Sequence, residues 1–392
     1  MSDARRAHLW SRLLAGGALS VVLAVPVQAA TTWYVANNGS DLFSPSCGSK
    51  PLPCRSISKA ITLAAAGDTI LIGPGHYGDL DGSGTFGDFP GEEAAEIGSG
   101  CECMIKVDKQ LTMLSRDGAL VTVLDAGGLT QSVVHIALPS ADGTVFGKLN
   151  KGFTLRNGAA NGLLTDPSTG TSSVQIVGNV AISNPTGFNV GLEGDLTKPT
   201  LVDNLAMESS TAGFSLSGNY SGMQRNRAVR NGSGIAIGGD GHNVWQNVAV
   251  QNTDGFQVVL SGPGIGRPAA SPDPPWPGFK QNAVIANTHA GVNVQALSGT
   301  IPGIWMKNSN LYGNGDPAAN CGVAVDNEET TNQAIASFYD SYWGSSTGQG
   351  PNPADTAGPT CLTGAGTVSP LFVFPDSGFL VKEVVIAEKP LK

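Results

Sequence analysis

Between Asn179 and Val325 the chain repeats one phrase six times, and a repeat this regular leaves few folds open. The middle copies read Asn226-Arg-Ala-Val-Arg-Asn231, Asn247-Val-Ala-Val-Gln-Asn252 and Asn282-Ala-Val-Ile-Ala-Asn287. Each leads to a glycine and an apolar-x-apolar triplet: Gly234-Ile-Ala-Ile, Gly255-Phe-Gln-Val and Gly291-Val-Asn-Val. Looser copies start at Asn179, Asn204 and Ser309, so the starts lie 25, 22, 21, 35 and 27 residues apart. Apolar residues at one phase of such a period mean one short unit stacked on copies of itself.

The triplets alternate apolar and polar, which makes each a short strand with one face inward. Glycine, asparagine and serine recur too often for helices of that length. Parallel stacking about 4.8 Å apart puts like above like. Phe188, Phe214, Ile235, Phe256, Val292 and Val323 then form an inward apolar ladder. Asn184, Asn231, Asn252, Asn287 and Asn314 form a second ladder at a turn, where asparagine tolerates left-handed backbone angles and can donate to one coil while accepting from the other. The reading is an all-β fold, a right-handed parallel β-helix. A propeller would need blades of roughly 40 residues with their own signature, which is missing.

The first 29 residues read as a signal peptide: Arg5, Arg6 and Arg12 precede an apolar run from Leu13 to Val25, and Val27-Gln28-Ala29 suits a signal peptidase. An uncleaved anchor is the alternative. Removing them takes away three arginines and one aspartate, so net charge moves from −9 to −11. No later stretch is long and apolar enough to span a bilayer. Such an acidic chain has no electrostatic reason to hold nucleic acid, and it grips a polyuronate poorly without a bridging cation. A secreted, periplasmic or cell-surface location follows. Six cysteines in an exported chain point to disulfides. The preferred set is Cys47–Cys54, Cys101–Cys103 and Cys321–Cys361, with a metal site as the alternative for Cys101 and Cys103.

Residues 30–392 read as one domain: an N-terminal cap over 31–78, regular coils over about 104–327, and a C-terminal cap or tail over 328–392. The cap contains an amphipathic helix over Arg55–Ala66, with Ile57, Ala60, Ile61 and Ala64 on one face. Residues 79–100 are a Gly- and Asp-rich excursion. Ser261 to Gly278 carries six prolines, cannot join a ladder, and is expected to protrude beside Asp254 and His289.

Here a resemblance becomes specific. Trp33-Tyr-Val-Ala-Asn-Asn-Gly-Ser-Asp41, the helix, and Gly67-Asp-Thr-Ile70 with Pro74-Gly-His-Tyr77 resemble the start of pectin-lyase-like right-handed β-helix proteins. The Asn-to-Asn repeats are similar to their coil repeat, and Tyr342-Trp-Gly344 with Ser369-Pro-Leu371 is similar to their ending. The resemblance implies the fold; the superfamily spans lyases, hydrolases, epimerases and adhesins, so it does not imply one activity.

Catalytic sets of relatives are incomplete here. Asn252-Thr253-Asp254 matches one polygalacturonase element in letters, but the Asp-Asp pair and Arg-x-Lys are absent, and one aspartate cannot be both acid and base. The Asp-Pro-His-Asp string of mannuronan epimerases and a pectin-esterase Asp-Trp element are missing. Aligning coils by their ladder asparagines sets Asp254 beside His289, with Asp240, His242, Lys280 and Asp273 expected near the adjoining edge. Asp203–Arg225 and Glu208–Arg230 align as ordinary cross-strand ion pairs.

The outward triplet residues Asn189, Ser215, Ala236, Gln257, Asn293 and Ala324 are small or amide-bearing and uncharged. With Trp245 and Trp276 as stacking aromatics, they are the expected ligand-binding surface, Gln257 and Asn293 foremost. The expected function is an exported β-helix that binds or scaffolds on glycans, without a cofactor. The alternative is a polysaccharide lyase or glycoside hydrolase around Asp254 and His289, with calcium if it is a lyase.

Overall fold

The structure, a computed structural model, describes residues 29–357 apart from 44–45, 99, 169, 195–197, 240, 261–277, 297–302, 316–320, 328–334, 340, 342 and 345–354. The chain divides into Met1–Ala30 and Thr31–Lys392. The first unit, with the expected signal peptide, lies almost wholly outside the described residues. In the second, the described strands form three parallel sheets of eleven, nine and ten members. Each coil visits them in that order, as in Gly222–Gln224, Arg227–Val229 and Ser233–Gly238. Among the described residues no helix is long and apolar enough to cross a membrane.

The expected apolar ladder is present. Phe188, Phe214, Ile235, Phe256, Val292 and Val323 stand in register on the ten-stranded sheet and are fully buried. The Phe188 and Phe214 rings stack at 5.1 Å. On the nine-stranded sheet the inward column is small through the middle coils: Ala181, Ala206, Ala228 and Ala249. On the eleven-stranded sheet it is large again: Phe146, Ile176, Leu201, Met223, Val244 and Phe279. Large residues meet small ones across the narrow interior, as close packing requires.

Two asparagine ladders run through the turns, where one was expected. Asn231, Asn252 and Asn287 behave alike: the backbone N–H and Nδ2 of each donate to Oδ1 of the next asparagine, at 2.8–3.1 Å, and Nδ2 also donates to a carbonyl on the coil before. Asn204, Asn226 and Asn247 repeat the scheme one turn earlier, and Asn282 hands on to Ser309 Oγ. The left-handed step is not taken by these asparagines. It falls on the residues just before them, Arg230, Gln251 and Ala286, with φ of 53–57°. The bend turns the asparagine inward, where its amide finds partners. The glycine of the phrase follows from the same packing. A Cβ on Gly234 would stand 2.8 Å from Asn252 Nδ2 and 2.6 Å from the Gly255 carbonyl.

Coiling begins and ends outside the expected span. Thr32–Val35 already pairs with Thr69–Ile72, and Ile335–Tyr339 still pairs with Gly303–Lys307. The helix is shorter than read, Ile57–Leu63, with Ser56 as its N-cap. Its first N–H groups bond Glu93, so the 79–100 segment folds back on the cap. Burial pushes the Glu93 carboxyl up, against hydrogen bonds from Ser58 and Ile57. Cys47–Cys54 and Cys101–Cys103 are bonded as expected. Cys321 is also disulfide-bonded, while Cys361 lies outside the described residues.

Asn252→Ala is expected to cost about 1–3 kcal/mol, because buried donors and acceptors on both neighbouring coils lose their partner. Unchanged denaturant midpoints would refute the ladder's role. At the ladder's end Asp355 accepts from Asn314 Nδ2 at 2.7 Å, and burial raises its carboxyl from 3.8 to about 6 against those bonds. Its contribution to stability is therefore complete below the unfolded value and lost as pH rises through about 6. Asp355→Asn is expected to melt later than the parent at pH 7, the gap closing towards pH 4. A constant gap across that range overturns the assignment.

Candidate functional site

The outward face of the ten-stranded sheet carries the polar cluster. Its strands Asp254–Leu260 and Ala290–Ala296 pair with Asp254 opposite Ala290, which brings His289, one residue earlier, against the Asp254 carboxylate. The turn before both is fixed by backbone bonds, Thr288 N–H to the Asn252 carbonyl and His289 N–H to that of Thr253, each 2.8 Å. His289 Nδ1–H donates to Asp254 Oδ1 at 2.7 Å, and Asn293 Nδ2 donates to Asp254 Oδ2 at 3.2 Å.

Asp254 is buried and Asn293 only 4% exposed, whereas 40% of the His289 side chain faces solvent. An aspartate on Nδ1 holds the imidazole in one tautomer, with the lone pair on Nε2. The arrangement can accept a proton at Nε2, stabilise the imidazolium, and return the proton. Asn293 Oδ1 is buried without a hydrogen-bond partner. Asn293 was expected on the open surface; it lies beneath the pair because its amide is drawn in to the Asp254 carboxylate.

Gln257 stands between Ala236 and Asn293 in register, and Ser233 Oγ–H donates to its Oε1 at 2.7 Å. Asp254, His289, Asn293 and Gln257 therefore share one sheet face. Among the described residues, the other expected ones do not join them. Lys280 and Trp245 pair with each other on the eleven-stranded sheet. His242 is fully buried, and its Nε2–H donates to the Gly238 carbonyl at 2.8 Å, so it is a core residue. Asp240, Asp273 and Trp276 lie outside the described residues. The proline segment follows Leu260, six residues along the strand from Asp254 and about 20 Å away at the usual rise. The segment itself, 261–277, lies outside the described residues.

The aligned ion pairs are present: Arg225 grips Asp203 in bidentate fashion at 2.7 and 2.8 Å, and Arg230 reaches Glu208 at 3.1 Å. They lie on exposed turns and contribute little.

Two further Asp–His pairs escaped the sequence reading. His76 Nε2 meets Asp125 at 3.2 Å, and His135 Nε2 meets Asp166 at 2.8 Å. The phrase is too degenerate before Asn179 to align those coils. Asp125 differs chemically from Asp254. Burial works against its ionised form, but hydrogen bonds from His76, Asn157, Gly127 and Arg156 outweigh it and hold the carboxyl well below the usual range. Arg156 already neutralises Asp125, whereas among the described residues the Asp254 carboxylate pairs with no arginine or lysine.

Residues 161–337 match the family described as the right handed beta helix region. The fold is also similar to two solved structures. One is the A-module of the Azotobacter vinelandii mannuronan C-5 epimerase AlgE4, at 16% identity and TM-score 0.48, covering 72% of this chain and 70% of that one. The other is the catalytic domain of a GH87 alpha-1,3-glucanase in complex with nigerose, at 13% identity and TM-score 0.35, covering 73% and 62%. At this level both likenesses concern the fold alone. No curated protein matches the chain.

Proposed function

Starting from a right-handed parallel β-helix of the pectin-lyase-like kind, we propose that the outward face of the ten-stranded sheet binds an extended polysaccharide. On this reading the protein is an exported glycan-binding or scaffolding β-helix of the cell envelope or extracellular space. The observation that carries it is the column Asn189, Ser215, Ala236 and Gln257, which advances one coil at a time without a charge and ends against the buried Asn293. Its spacing, about 4.8 Å, is close to the length of one pyranose unit in an extended chain. Amides and hydroxyls offer both donors and acceptors to sugar hydroxyls. The Cys47–Cys54 disulfide and the basic-then-apolar amino-terminal sequence support export.

One observation favours a second reading, in which the same face turns over its ligand. His289, oriented by Asp254, would act as the proton acceptor and donor of a lyase or hydrolase. In a lyase, His289 Nε2 would take the proton beside a uronate carboxylate whose charge a calcium ion neutralises.

Binding and depolymerisation are tested together on a panel of polyuronates and neutral glycans, with and without calcium. Gln257→Ala with Asn189→Ala is expected to weaken binding at least tenfold; unchanged binding removes the face from the account. If the protein turns over its ligand, His289→Ala should lower turnover about 10²–10⁴-fold while binding persists. Equal product from parent and His289→Ala overturns the second reading, and no product from the parent leaves binding as the function.

A further inference from the structure

Cys101-Glu-Cys103 stands alone in the sequence, with no histidine near it along the chain. The fold supplies one. The strand Cys103–Val107 pairs with Ser132–Ile136, setting Lys106 opposite His135. The two sulfurs and a ring nitrogen of His135 lie within 4.8 Å of one another. Glu102 takes a left-handed backbone angle, φ 44°, which turns both cysteines to the same side. The cluster is closed in: Cys103 is fully buried, His135 is 7% exposed and Cys101 9%.

The chemistry of His135 points to a ligand. Its Nε2–H donates to Asp166 Oδ1 at 2.8 Å, and Asp166 is itself held by the Leu138 N–H at 3.1 Å. With the proton on Nε2, Nδ1 carries the lone pair, and that nitrogen is buried without a hydrogen-bond partner. A histidine with one nitrogen donating to a carboxylate and the other bare is the usual form of a metal-binding histidine. Two thiolates and an imidazole are the donor set of thiophilic cations, and three protein ligands leave a fourth position open. Tetrahedral bonds of about 2.0–2.3 Å separate ligand atoms by roughly 3.5–3.8 Å, so the two sulfurs, bonded to each other here, must part to that spacing, with the imidazole already within 4.8 Å of both.

The second cysteine pair lacks this equipment. Asp41 lies near Cys47 and Cys54, but it accepts the N–H groups of Arg55 and Ser56, and among the described residues no histidine joins that group.

We propose that Cys101, Cys103 and His135 form a redox-gated site for one thiophilic cation, Zn²⁺ or Cu⁺, closed while the two sulfurs are bonded to each other. A dithiol opens it. Two electrons and two protons pass to the Cys101 and Cys103 sulfurs as the dithiol becomes its own disulfide. Binding of the cation then displaces both thiol protons to water. Asp166 serves as the positioning residue that fixes the ring through Nε2.

The full chain is reduced with a dithiol, desalted without oxygen, and titrated with Co²⁺ as an optical probe, then with Zn²⁺ and, against a chelator, Cu⁺. Circular dichroism reports folding throughout. The reduced parent is expected to bind one cation more than Cys101→Ser/Cys103→Ser, with a thiolate-to-cobalt charge-transfer band, and the oxidised parent is expected to show none. Asp166→Asn should weaken binding about 10–100-fold without abolishing the band. His135→Gln should weaken it at least tenfold. The tighter-held ion identifies which of Zn²⁺ and Cu⁺ the site takes. Reduction that unfolds the parent, a folded parent that binds nothing, equal binding by the double serine variant, or His135→Gln binding as tightly as the parent each overturns the site.

Discussion

The structure depends on a requirement that buried amides place on each coil. A stack of short turns must bring its chain back inside once per sheet, and every such return buries backbone N–H and carbonyl groups away from water. Asparagine meets the need from both sides at once. Asn252 joins Ala228 on one coil to Asn287 on the next, and the link repeats unit after unit. Substituting a residue of similar size with only donors or only acceptors would leave one coil's groups unpaired. The glycine column follows from this, because the space beside each amide has no room for a side chain. So does the register, since coils tied at two turns cannot slip. The polar columns on the outer face are ordered because the buried ones are.

This explains what the sequence could show. The ladder from Phe188 to Val323, the pairs Arg225–Asp203 and Arg230–Glu208, and the meeting of Asp254 with His289 all lie where the asparagines index the coils. Counting residues from an asparagine was equivalent to measuring along the fold. Before Asn179 the index fades, and there the reading missed His76–Asp125, His135–Asp166 and the Glu93 cap on the helix. Burial was less legible than register. Strand alternation sends Asn293 outward but cannot reveal that the Asp254 carboxylate draws its amide under cover. His242 looked available because a polar residue following Gly238-Gly-Asp-Gly241 resembles a loop, yet its imidazole closes the turn by bonding Gly238. Proximity in sequence also misled: Lys280 and Trp245 are close to Asp254 along the chain but belong to a different sheet of the coil.

Within the ten-stranded sheet, two histidines meet aspartates with opposite consequences. His135 is buried, bonds Asp166 through Nε2, and keeps a bare Nδ1 on a ring that lies beside two sulfurs. His289 bonds Asp254 through Nδ1 and presents Nε2 to solvent. The carboxylate does the same work in both: it fixes the tautomer and so decides which nitrogen is left to react. Location then decides the partner. A buried nitrogen beside soft sulfur suits a cation, and an exposed nitrogen above an amide-lined face suits proton exchange with a bound chain.

The charge pattern of that face constrains the chain it can take. Its basic groups in the outward column, Lys106 and His135, sit at one end, and each is already paired, with Glu96 and Asp166. From Asn189 to Asn293 the column is neutral, while the whole chain carries −9. A polyuronate laid along it would meet no cation of that column among the described residues and would feel the protein's overall repulsion, so it would need a divalent ion between them. A neutral glycan needs only the donors and acceptors already there, and loses nothing as ionic strength rises. Salt dependence is thus a property of the ligand class on this face, and the neutral class is the one its residues satisfy without help.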